Sequence, residues 1–114
     1  MRVDDALTAC MRDALAAHVG ISEKKMMGGT CFFLNGNMLS GARRHKDGIG
    51  RFMFRVGKAQ EVTALANPTA EAVVHGTRNL GGFVRVDEGD CDDGALQQWL
   101  QLCLAHAAAL PAKD

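Results

Sequence analysis

Residues 30–41 constrain the fold more than any other segment. Thr30-Cys31-Phe32-Phe33-Leu34 and Asn37-Met38-Leu39-Ser40-Gly41 are separated only by Asn35-Gly36. Asn-Gly accepts the two positive φ angles of a type I′ turn, whose twist matches the strands it joins. The chain therefore holds an antiparallel strand pair. An isolated hairpin is marginal in water, so other elements must extend the pair or cover a face of it.

The rest of the pattern supplies those elements. Asp4 to His18 repeats at three- and four-residue intervals (Leu7, Cys10 or Met11, Ala14, Leu15 and His18 on one face), which predicts a helix, and Gly20 suits its exit. Gly28-Gly29 allows a bend into the first hairpin strand. Arg43 to Gly50 reads as a polar loop. Arg51-Phe52-Met53-Phe54-Arg55-Val56 alternates strictly, with Phe52, Phe54 and Val56 on one face and Arg51, Met53 and Arg55 on the other. Lys58 to Ala66 is expected to be a short helix with Ala59, Val62, Leu65 and Ala66 inward, ended by Asn67-Pro68. Ala72 to His75 and Gly82 to Val86 read as strands, with Thr77 to Gly82 as the turn between them. Asp92 or Asp93 caps a last helix with the apolar stripe Leu96, Trp99, Leu100, Cys103, Leu104 and Ala107. The expected order is α-β-β-β-α-β-β-α. It describes an α+β fold, a two-layer sandwich with a mainly antiparallel sheet and helices packed on one face. At 114 residues, the chain 1–114 fits a single domain.

Charge narrows the function classes. Thirteen basic and thirteen acidic side chains balance to a formal net charge of zero. A dedicated nucleic-acid binder is usually strongly basic overall. The distribution is uneven: between Lys24 and Lys58 lie eight Lys and Arg residues and one acid, Asp47, while Asp87 to Asp93 holds five acids. A basic side and an acidic patch are expected. No run of about 20 apolar residues suggests a membrane span, and acids stand where a signal peptide carries positive charge. The expected location is cytoplasmic, with Cys10, Cys31, Cys91 and Cys103 reduced.

No catalytic, metal or cofactor constellation is evident. Cys31 and Cys91 are nucleophiles by type, with His45 or His75 as base. However, Cys31 falls within a strand and Cys91 lies among five acids that oppose thiolate formation. His18, His45, His75 and His106 are scattered singly, which is not ligand spacing. Asp87 to Gly94 lacks the alternating oxygens and terminal glutamate of a calcium loop, and reads as a solvated loop leading to a helix cap. Gly28-Gly29 and Gly81-Gly82 match no phosphate-cradle motif.

Two candidate surfaces remain. Arg51, Met53 and Arg55 would join Phe83 and Arg85 if their strands are neighbours, giving an Arg- and aromatic-bearing sheet face of the kind favoured at protein interfaces. That face could equally be solvated, with arginine stems covering apolar surface. The alternative is direct nucleic-acid contact through Lys24, Lys25, Arg43, Arg44 and Lys46.

Several segments, in order, resemble the TfoX N-terminal domain family. They are Lys24-Lys25-Met26-Met27-Gly28-Gly29 leading into the hairpin, Phe52-Met53-Phe54-Arg55-Val56-Gly57, Gly81-Gly82-Phe83-Val84-Arg85-Val86, and the helix ending Ala108-Ala109-Leu110-Pro111. The resemblance runs from about Lys24 to Pro111. It implies a two-layer α/β fold and a regulatory, non-enzymatic role of the competence type, exercised with a transcription regulator as protein partner. It supplies no catalytic residue. The leading expectation is a protein-binding module, with a homodimer through the sheet face as a further possibility. The alternatives are the nucleic-acid binder and, last, a small cysteine-dependent enzyme.

Overall fold

The structure, a computed structural model, describes residues 5–26 and 28–113, apart from the side chains of Asp5 and His75. Asp4, where the helical periodicity starts, and Met27 of the resemblance lie outside the described residues, as does the His75 side chain.

Helix α1 spans Asp5–Ala14 and is followed by strands β1 (Ile21–Met26), β2 (Gly29–Leu34), β3 (Asn37–Arg44) and β4 (Gly50–Arg55). Helix α2 (Lys58–Leu65), strands β5 (Ala70–His75) and β6 (Arg78–Asp87), a single 3-10 turn (Glu88–Asp90) and helix α3 (Asp93–Ala108) complete the chain. The six strands form one sheet in the order β1-β2-β3-β4-β6-β5, and every pairing is antiparallel. The α+β class is as expected.

The order differs by one strand, because four strands precede α2 where the pattern suggested three. The extra strand, β1, is an edge strand, half-buried at Ile21 and exposed beyond it. It buries too little to show alternation, and its charges suit an unpaired edge. The loop expected over 43–50 is shorter, since β3 continues to Arg44 and β4 begins at Gly50. Likewise β6 starts at Arg78, which leaves Gly76-Thr77 as the turn.

The Asn35-Gly36 turn has the expected geometry, with φ of 51° and 83°. Beyond it the register shifts: Phe33 pairs with Met38 and Phe32 with Ser40, so Leu39 is the extra residue of a β-bulge. Leu39 and Ser40 are both fully buried, and the Ser40 hydroxyl lies 3.1 Å from the Met11 sulfur.

The core lies between the sheet and the helices. Phe32, Ala42, Phe52, Phe54, Val84 and Val86 meet Leu7, Met11 and Leu15 of the first helical segment and Leu96, Trp99, Leu100 and Cys103 of α3. Phe54 stacks on Trp99 with ring centroids 5.5 Å apart and planes 9° from parallel. Asp92 caps α3 by accepting a 2.8 Å bond from the Ala95 amide.

Helix α2 is where periodicity misleads. Ala64 is buried and Leu65 half-buried, but Ala59 and Ala66 are exposed and Val62 is 83% exposed. The helix is pinned to β6 by polar and backbone contact instead. Glu61 accepts a 2.9 Å bond from the Gly82 amide, and a Cβ on Gly82 would lie 3.0 Å from the Lys58 nitrogen. Small residues distributed around a short helix carry no directional signal.

Candidate functional site

Alternation and register decide what lies on the face away from the helices. One row of paired residues crosses the whole sheet: Lys24, Cys31, Gly41, Met53, Arg85 and Glu71. Beside it run the pairs Arg43–Arg51 and Arg51–Asp87, and on the other side Arg55–Phe83. The structure thus brings Arg51, Met53, Arg55, Phe83 and Arg85 together on neighbouring strands, all half-buried.

Their surroundings differ. The Arg51 guanidinium is held at 2.8 Å by both Asp47 and Asp87, and the side chain is only 13% exposed. These bonds, first that to Asp47, raise its pKa and keep the cation fixed, while the Asp47 carboxyl is held below its ordinary range. Arg51 is therefore a strut that ties the 45–49 turn to β6. Arg85 reaches Glu71 at 2.8 Å through Nη2, while its Nε is buried with no acceptor among the described residues. A buried donor left unsatisfied costs about 1–3 kcal/mol, so such groups call for an explanation. Arg55 makes no ion pair among the described residues; it lies 5.9 Å from the Phe83 ring centroid and reaches the Met38 carbonyl at 3.5 Å. Cation and ring cover each other in this way at modest energy.

Between β2 and the β5–β6 hairpin this face is concave. A hollow of about 90 Å3 lies over Cys31, Gly41 and Met53. Gly41 makes room for it: a Cβ there would meet the Cys31 sulfur at 3.5 Å and the Met53 methyl at 3.7 Å. Val73 and Leu80 form part of the wall, and Arg43, His45, Arg51 and Arg85 supply its charged and imidazole lining, which contains no carboxylate among the described residues. Desolvation lowers the His45 pKa, and Arg51, Arg43 and Arg85 lower it further against the smaller pull of Asp47. Three guanidinium groups therefore bear on one point.

The basic residues of the alternative surface are not gathered in this way. Lys24 pairs with Cys31 on the open-face row and lies 5.9 Å from the Phe33 ring centroid, whereas Lys25 alternates to the other side. Arg43 lines the hollow, whereas Arg44 bonds to Glu88 at 3.0 Å and Lys46 sits in the turn. The thiols are poorly placed for nucleophilic chemistry. Burial pushes the Cys31 thiol up, and burial with the neighbouring Asp92 and Asp90 pushes Cys91 to about 11. Among the described residues, no three His, Cys, Asp or Glu side chains gather as a metal site. None of their helices is long and apolar enough to cross a membrane.

Sequence reasoning did not assign Gly41, His45, Val73 and Leu80 to a shared site. Cys31 and Gly41 meet only because of the register beyond the Leu39 bulge, and β5 has its own irregularity between Ala72 and Val74. Neither shift has a signature in the residues.

Fold and face together define an α+β domain with a one-sided sheet, whose free face is basic, partly apolar and hollowed. The chain belongs to the TfoX N-terminal domain family, whose profile matches residues 13–107. No curated protein and no solved structure matches it.

Proposed function

We propose that this domain is a regulatory binding module that docks a carboxylate-bearing protein surface on the open face of its sheet. The observation that carries this reading is the half-exposed group Met53, Arg55, Phe83 and Arg85 on a face that no helix covers among the described residues. Arg and aromatic side chains are favoured at protein interfaces, and the positive lining selects an acidic counterpart. Family membership supports a regulatory role, and a transcription regulator of the competence type is the partner we propose. The split placement of Lys24, Lys25, Arg43 and Arg44 disfavours a nucleic-acid duplex as occupant.

Photo-crosslinking tests this. Benzoylphenylalanine replaces Phe83 in one variant and Val62, on the exposed side of α2, in another. The expected result is an adduct from position 83 alone, joined to an acidic peptide and lost when Arg55→Glu is added. Adducts from both positions, or one at 83 that survives Arg55→Glu, would exclude the open face as the docking surface. An adduct to a second copy of this chain would replace the proposed partner with a homodimer.

A further inference from the structure

The hollow itself has unmet chemistry. Its volume of about 90 Å3 leaves room for one small organic ion. Among the described residues the lining carries four basic side chains and no acid; the carboxylates Asp47, Asp87 and Glu71 reach Arg51 and Arg85 from outside it. Arg43 makes no ion pair among the described residues, and the Arg85 Nε–H has no acceptor there. The floor, by contrast, is apolar, with Met53 and Cys31 beside the space that Gly41 leaves.

We propose that this hollow is a binding site for a small organic oxyanion, with its head on the guanidinium groups of Arg43 and Arg85 and its short apolar end against Met53 and Leu80. A guanidinium presents N–H donors in a planar fork that matches a carboxylate or phosphate. Arg51 keeps its own carboxylates and contributes only its field. The site lies within this one chain, so it does not depend on the protein partner proposed above.

The test is an NMR titration of the full chain, read at the Arg85 Nε–H and the Met53 methyl. Sodium butyrate is added at ionic strength held constant with sodium chloride, with 1-butanol and inorganic phosphate as parallel arms. Butyrate is expected to give saturable shifts at both probes and to bind at least tenfold more tightly than butanol. Arg43→Gln and Arg85→Met should each weaken it tenfold or more. Gly41→Ala, whose added methyl meets only ordinary contacts, should weaken it too while the rest of the spectrum is kept. Tighter binding of phosphate than of butyrate would assign the head group as phosphate and uphold the site. Shifts that are linear, that equal those of chloride, or that persist unchanged in Arg43→Gln and Gly41→Ala would overturn it. These last two variants keep the test decisive if Arg85→Met does not fold.

Discussion

Met53 and Phe54 are adjacent in β4 but face opposite ways, so truncating each measures the two faces separately. Phe54 is fully buried, stacks on Trp99 and lies 6.2 Å from Phe52, centroid to centroid. Phe54→Ala removes the whole ring and leaves a cavity between sheet and α3, which costs about 3–5 kcal/mol, with up to ~1.5 kcal/mol of that from the ring pair. A domain of this length is stable by roughly 6–17 kcal/mol. Its unfolding entropy of about 0.24 kcal/mol per kelvin turns a loss of 4 kcal/mol into a fall in Tm of about 17 °C. Met53 is half-exposed on the open face, so Met53→Ala forfeits part of a thioether's burial, about 1 kcal/mol or about 4 °C. Guanidinium denaturation followed by circular dichroism gives both numbers without relying on Trp99 fluorescence, which Phe54→Ala would disturb. Equal losses at 53 and 54 would refute the assignment of packing to one face and solvent to the other.

Other consequences are equally concrete. Gly29→Ala should destabilise severely, by about 3 kcal/mol or more, because its Cβ would run into the Ala42 carbonyl; Gly41→Ala should shift Tm by only a few degrees, and a thermal melt compares the two. The His45 pKa should lie below the usual ~6.5 and rise toward it in Arg43→Gln, as read by NMR. The folded state thus prefers neutral His45, whose contribution is whole above about pH 6.5 and is lost as the pH falls through the folded pKa. Of the four thiols, exposed Cys10 should react with a labelling reagent rapidly in the native state, while Cys31, Cys91 and Cys103, all buried and with raised pKa, wait for opening of the fold; rapid loss of all four would contradict this. Asp92→Ala should cost about 1 kcal/mol by removing the α3 cap, measured by urea denaturation.

The legible parts of the fold are those where one physical requirement dominates a segment. Asn35-Gly36 permits little besides a tight hairpin turn, and the stripe from Leu96 to Ala107 has one apolar side to bury. The strict alternation at 51–56 sets Arg51, Met53 and Arg55 on one face and Phe52, Phe54 and Val56 on the buried one. Strand β1 escapes because an exposed edge strand has no burial to write into its residues, and α2 misleads because alanines surround it. The hollow depends on register across five strands and on a bulged residue, Leu39, that looks like any other strand leucine. Arg51 shows how side-chain type misleads: an arginine on a candidate surface is held as a strut by Asp47 and Asp87, one near in sequence and the other distant.

The central claim is that function resides on the uncovered face of the sheet. Crosslinking from position 83 against position 62, each with and without Arg55→Glu, tests it most directly. The expected result is an acidic-peptide adduct from 83 only, abolished by the charge reversal, with the circular dichroism spectrum unchanged. An adduct from 62 alone, or one from 83 indifferent to Arg55→Glu, would place recognition elsewhere on the domain and contradict it.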